Sequence, residues 1–210
     1  MTVAQSLLAF LFAAAVLTIT PGLDTALVLR TSALEGARKA AFAGIGITLG
    51  CLVWGLAVAV GLAALLTASE LAFTVLKWAG AAYLVWLGAR MILKPREGFD
   101  PSATGISPKA QGGTEWLWRG LLTNLLNPKA GIFYISFLPQ FVPAGVQAGS
   151  FILLLVMVHV VLSLLWFAAL ILATRPLNRA LRRPAVIRVM DRLAGCVFVG
   201  FGVKLALARR

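Results

Sequence analysis

Residues 7–29 read LLAFLFAAAVLTITPGLDTALVL, 23 residues in which Asp24 carries the single charge. A hydrocarbon core of about 30 Å takes about 20 residues of helix, so this stretch is long enough to cross a bilayer. Its middle departs from a plain span. Residues 18–25 (TITPGLDT) place a proline, a glycine, three hydroxyls and a carboxylate inside an otherwise apolar run. Proline removes one backbone hydrogen bond and its ring clashes with the preceding turn. The stretch therefore predicts a membrane helix broken at Pro21.

The rest of the chain agrees with a membrane setting. Of 210 residues 60% are hydrophobic and only 12% are charged, and the mean hydropathy is +0.94. Soluble domains run to about 45–50% apolar and about 25% charged residues. The expectation is an all-α, polytopic membrane helical bundle forming one transmembrane domain over residues 1–210. Further apolar runs at 40–69, 71–89, 120–142 and 150–174 predict four more spans, the last two separated by Pro139, Pro143, Gly145 and Gly149. A sixth span needs a helix starting just after Pro184, with Arg188, Asp191 and Arg192 snorkelling at the interface. Five spans plus an interfacial segment is the alternative. Thr2–Ser6 has no basic residue and the first apolar run is long, so a retained helix is expected rather than a cleaved signal peptide.

Charge placement orients the bundle. Net charge is +12, and 14 of the 19 Lys and Arg fall in loops one, three and five, with none in loops two and four or the N-terminal segment. The positive-inside rule puts the basic loops in the cytoplasm and the N-terminus in the periplasm. Lys204, Arg209 and Arg210 run against a sixth span. This alternation accounts for the charge without nucleic acid. Cys51 and Cys196 lie in apolar runs and read as small buried hydrophobes. No metal or cofactor motif is visible.

Pro21 and Pro128 lie 107 residues apart. The same offset carries span two onto span five, while the third pair needs about ten more residues of loop. Basic loops fall on opposite sides of equivalent helices, as in transporters built from inverted repeats. The expected halves are about 1–95 and 115–210, joined by a cytoplasmic linker at about 96–114. Gly46 and Gly50 suit close helix packing.

Residues 123–130 (TNLLNPKA) repeat the broken-helix pattern, with two amides and an ammonium. Pro21 stands nine residues before Arg30 and Pro128 nine after Arg119. Both breaks thus sit about 13 Å from the basic edge, near mid-bilayer. Freed backbone groups persist at that depth only inside protein or along a cavity. The candidate substrate- or ion-binding set is Thr20, Pro21, Gly22, Asp24, Thr25, Asn124, Asn127, Pro128 and Lys129. Such a set can hold a zwitterion. Asp24 accepts from an ammonium, Lys129 attracts a carboxylate, and the hydroxyls and amides read side-chain atoms. Alternatively, Asp24 carries a coupling proton, or Asp24 and Lys129 only neutralise each other. His159 is either a proton relay with Asp24 or a core histidine bonded across helices. Lys77 is expected to snorkel to headgroups.

The motifs Ile19-Thr20-Pro21-Gly22 with Asp24-Thr25-Ala26-Leu27-Val28, Lys77-Trp78-Ala79-Gly80-Ala81-Ala82-Tyr83-Leu84, and Gly120 through Ala130 with Phe137-Leu138-Pro139-Gln140-Phe141-Val142 together resemble the LysE/RhtB family of amino-acid exporters. The likeness runs nearly the full length. Leu23 departs from it, standing where the family usually has a second proline. The resemblance implies secondary active export of amino acids or close derivatives, homoserine- and threonine-like or basic, across the bacterial inner membrane. It also implies a coupling ion, expected to be a proton, and no cofactor. A homo-oligomer is left open, as is another small solute or cation as substrate. A membrane-embedded enzyme is the competing class, for which Asp24, Lys129 and one distant histidine are a poor set.

Overall fold

The computed structural model describes residues 2–68, 70–95, 112–173 and 183–207. Among them all regular structure is helical. α1 (Val3–Ile19) starts with a reciprocal cap, the Thr2 hydroxyl accepting from Gln5 N while Gln5 Oε1 accepts from Thr2 N. It stops where the sequence predicts: Thr20 is its C-terminal cap, Pro21 cannot donate, and α2 (Leu23–Leu34) resumes at an angle of 51°. Gly36, at φ 91°, then turns the chain in a region that disfavours other residues. α3 (Ala37–Ala68) and α4 (Glu70–Leu93) follow.

The second break is built differently. α5 (Gly113–Leu125) ends three residues before Pro128, the first residue of the short α6 (Pro128–Ile132). A proline at that position sacrifices no hydrogen bond. Asn127 Oδ1 caps α6 by accepting from Lys129 N at 3.0 Å. The chain continues as a π-helical turn (Phe133–Phe137) and a 3-10 turn (Leu138–Phe141). The wider π turn buries Phe133, Tyr134 and Phe137 together. α7 (Ala148–Leu172) and α8 (Pro184–Leu207) complete the bundle.

By length and composition α7 and residues 37–61 of α3 suit a bilayer crossing, as do α1 and α2 taken as one bent pair. The sixth apolar segment is one continuous helix of 24 residues. Large apolar side chains such as Leu8, Phe12 and Leu172 are 65–87% exposed. An outer surface of this kind suits lipid rather than water.

Glycines set the closest helix approaches. A Cβ on Gly46 would overlap the carbonyl oxygen of Leu117, and one on Gly120 that of Ala43, so α3 and α5 touch backbone to backbone. α4 and α8 meet through Gly88 and Gly195, each facing the other's carbonyl. Two apolar clusters result. The larger joins Phe10, Leu17, Phe133, Phe137, Leu155 and Phe198. The smaller joins Leu27, Ala43, Ile47, Trp116, Phe167 and Leu170.

Two sequence expectations need correction. Cys196 is exposed on α8, whereas Cys51 is buried as expected. Asp191 does not snorkel; it is 1% exposed on the α8 face turned to α4, lining a pocket with Arg90 and Lys94. The basic end of α4 makes that burial affordable for a carboxylate. Most of the linker at 96–114 lies outside the described residues, as do Arg175, Arg179, Arg182 and the side chains of Lys77 and Lys204.

Candidate functional site

The two breaks meet. Lys129, just past the second break, sends its ammonium to the open C-terminal end of α1, donating to Thr20 O at 3.0 Å and Leu17 O at 3.2 Å. The last carbonyls of a helix lack intrahelical donors and carry partial negative charge, so an ammonium there satisfies both needs. Asn124, on α5, likewise donates through Nδ2 to Asp24 Oδ2 at 2.9 Å. The second broken segment thus supplies the donors and the first the acceptors.

A cavity of about 50 Å³ lies at this crossing. Thr20, Gly22, Asp24, Thr25, Asn124, Asn127, Lys129 and His159 all line it. Pro21 is outside the lining; it and Pro128 each sit in the backbone break beside the lining residues. Thr20 is half committed already, since its hydroxyl donates to Val16 O at 2.6 Å. His159 faces the Tyr134 hydroxyl through Nδ1 at 2.7 Å, with its ring 5.1 Å from that of Phe133.

Two acceptors at the crossing, Asp24 Oδ1 and Asn124 Oδ1, and the Thr18 hydroxyl are buried without a hydrogen-bond partner. Each buried unpaired acceptor costs about 1–3 kcal/mol, which a bound donor recovers. Holding one water takes about 10–15 Å³ of such space, so this cavity has room for a few waters and not for a whole amino acid. Its apolar walls come from both clusters, Leu17, Cys51 and Phe133 from the larger, Ile47 and Phe167 from the smaller. The polar pocket is therefore interposed between two dry layers.

Several of these wall residues are not evident from the sequence. Thr18 stood in the quoted motif without a role, and Cys51 was read only as a hydrophobe. Ser163 was not singled out. Its signal is a simple one: apart from Ser150 near the start, His159 and Ser163 are the polar side chains of α7 that stand four residues apart, on one face.

The LysE type translocator family matches residues 15–209, which is nearly the whole chain and includes both breaks. The chain belongs to that family. It is 31% identical to the leucine efflux protein of Klebsiella pneumoniae subsp. pneumoniae, over 95% of this chain and 93% of that protein. It is 32% identical to the threonine efflux protein of Salmonella typhimurium, over 91% and 92%. It is 31% identical to the homoserine/homoserine lactone efflux protein of Salmonella typhi, over 96% of both. No solved structure matches the chain. Membership makes this protein one of a family of efflux transporters, and the helical bundle accords with that.

Proposed function

We propose that this translocator exports amino acids across the bacterial inner membrane, and that the crossing of the broken helices is its substrate site. The observation that carries the reading is the pair of buried, unpartnered oxygens, Asp24 Oδ1 of the carboxylate and Asn124 Oδ1 of the amide bonded to it. A substrate ammonium brings the donors that these acceptors lack. Lys129, already turned to the carbonyls of Leu17 and Thr20, offers its charge to the substrate carboxylate when the crossing opens. The relatives named for leucine, threonine and homoserine efflux favour an amino acid over other solutes.

Coupling follows from the same carboxylate. Asp24 binds either the substrate ammonium or a proton, and that competition exchanges one for the other across the membrane. Access alternates by rocking at the two breaks, with the apolar clusters closing one side at a time. The basic loops lie in the cytoplasm and the N-terminus in the periplasm. Halves of about 1–95 and 115–210 are inverted repeats. The reciprocal packing of α4 on α8 through Gly88 and Gly195 supports this, since these are the third helices of the two halves.

The experiment loads cells lacking their own exporters with dipeptides and follows amino acids appearing outside. Expression of the protein should raise the efflux of at least one amino acid, and Asp24→Asn should remove that increment. Equal efflux with and without the protein, for every amino acid supplied, contradicts the proposal.

A further inference from the structure

The exporter reading assigns the two ends of a zwitterion and leaves the side chain without a place. We propose that the α7 face bearing Ser163 and Phe167, opposed by Ile47 of α3, is the side-chain subsite, and that it accepts short, uncharged side chains. This rests on the exporter reading and deepens it.

Position comes first. His159, Ser163 and Phe167 stand at intervals of four on α7, so they form one stripe along the helix. All three are buried, and all three line the cavity that holds Asp24 and Lys129. The charged groups for the substrate's ends come from the two broken helices. The wall left for the rest of the molecule is the one made by α7 and α3.

Charge comes second. Among the described residues that line the cavity, Asp24 is the single carboxylate and Lys129 the single ammonium. Once these serve the α-ammonium and α-carboxylate, a second charge on the substrate has no counter-ion. An ionised group buried without a partner is strongly disfavoured. His159 is no fixed counter-ion: with Nδ1 engaged by Tyr134, its imidazole offers Nε2 as a hydrogen-bonding atom and not a permanent charge. A lysine-like or glutamate-like side chain is therefore rejected.

Size and polarity come third. The Phe167 ring is backed by Gly44, where even a Cβ would come within 3.3 Å of it. The ring has little room to retreat, and Ile47 opposite is 1% exposed. Together they bound the length of the side chain. Between His159 and Phe167, one turn from each, Ser163 supplies a hydroxyl. It can bond a hydroxyl on the substrate and gains nothing from an aliphatic one. Ser163 is thus the residue that sets the balance between hydroxylated and aliphatic substrates, and Phe167 the residue that limits bulk.

The test uses the full chain in proteoliposomes, with counterflow of threonine, leucine, lysine, glutamate and tryptophan. The parent should exchange threonine or leucine at least tenfold faster than lysine, glutamate or tryptophan. Ser163→Ala should lower the threonine-to-leucine ratio several-fold, and Phe167→Leu should raise tryptophan relative to leucine. Ser163→Cys, nearly isosteric, replaces the alanine variant if that one does not assemble. Lysine or glutamate exchanged as fast as threonine, or ratios unmoved at both positions while exchange persists, would overturn the subsite and leave the exporter standing. Absence of counterflow for every amino acid would overturn both.

Discussion

Replacing Lys129 by methionine keeps most of the stem and deletes the charge that closes the end of α1. Two hydrogen bonds from the ammonium are lost, to Thr20 O and to Leu17 O. Bonds to a charged group are worth about 1.5–3 kcal/mol each, so the loss is about 3 kcal/mol at the lower end. For chains of this size each kcal/mol moves the melting temperature by about 2–4 °C, giving a drop of about 6–12 °C. Asp24→Asn differs, because an amide oxygen can still accept from Asn124, so its melting temperature should stay near the parent's. Adding Asp24→Asn to Lys129→Met should not restore stability, since the α1 carbonyls still lack their donor. The assay is thermal unfolding of the purified protein in detergent, followed by tryptophan fluorescence. Full recovery in the double variant would refute the reasoning and reduce Asp24 and Lys129 to a mutually neutralising pair.

Three further outcomes follow from the same geometry. Asp24→Asn should abolish counterflow while membrane insertion is retained, as removing a charge lowers the cost of insertion; parental transport would free Asp24 of any role with ammonium or proton. Gly120→Leu should destabilise by at least about 1–3 kcal/mol through the clash with the Ala43 carbonyl, read as lost expression or lower melting temperature, whereas Gly200→Leu, which meets nothing within 4 Å, should be tolerated. Cysteine placed at position 146 should react with an impermeant reagent from outside and cysteine at 109 should not; the reverse pattern would invert the topology.

Much of this architecture is legible in the sequence because lipid is an exacting solvent. Backbone groups left open at helix ends beside Pro21 and Pro128 have nowhere to go in hydrocarbon, so the two breaks point to a shared polar interior, and their flanking residues do line one cavity. The pattern of bonding is not legible in that way. That Lys129 reaches the carbonyls of Leu17 and Thr20, rather than only facing Asp24, depends on where α1 stops and how α6 is capped by Asn127. The α7 wall was hidden for another reason. Phe167 and Ile47 look like ordinary core residues, and only the packing of α3 on α5 through Gly46 and Gly120, and on α7 where Gly44 meets Phe167, brings them to the pocket. Asp191 was misread because its partner surface on α4 lies about a hundred residues away in the chain.

Cys51 offers the most direct test of where the substrate binds. It is 2% exposed, lines the cavity and lies 3.6 Å from the Asn124 amide, while the other thiol, Cys196, can be removed by Cys196→Ser. The measurement is the alkylation rate of Cys51 by a small permeant reagent in proteoliposomes, with and without a saturating amino acid that the protein exchanges. The account predicts slower alkylation in its presence, and no slowing in Asp24→Asn. A transported amino acid that leaves the Cys51 rate unchanged would contradict the placement of the substrate site at the crossing of the broken helices.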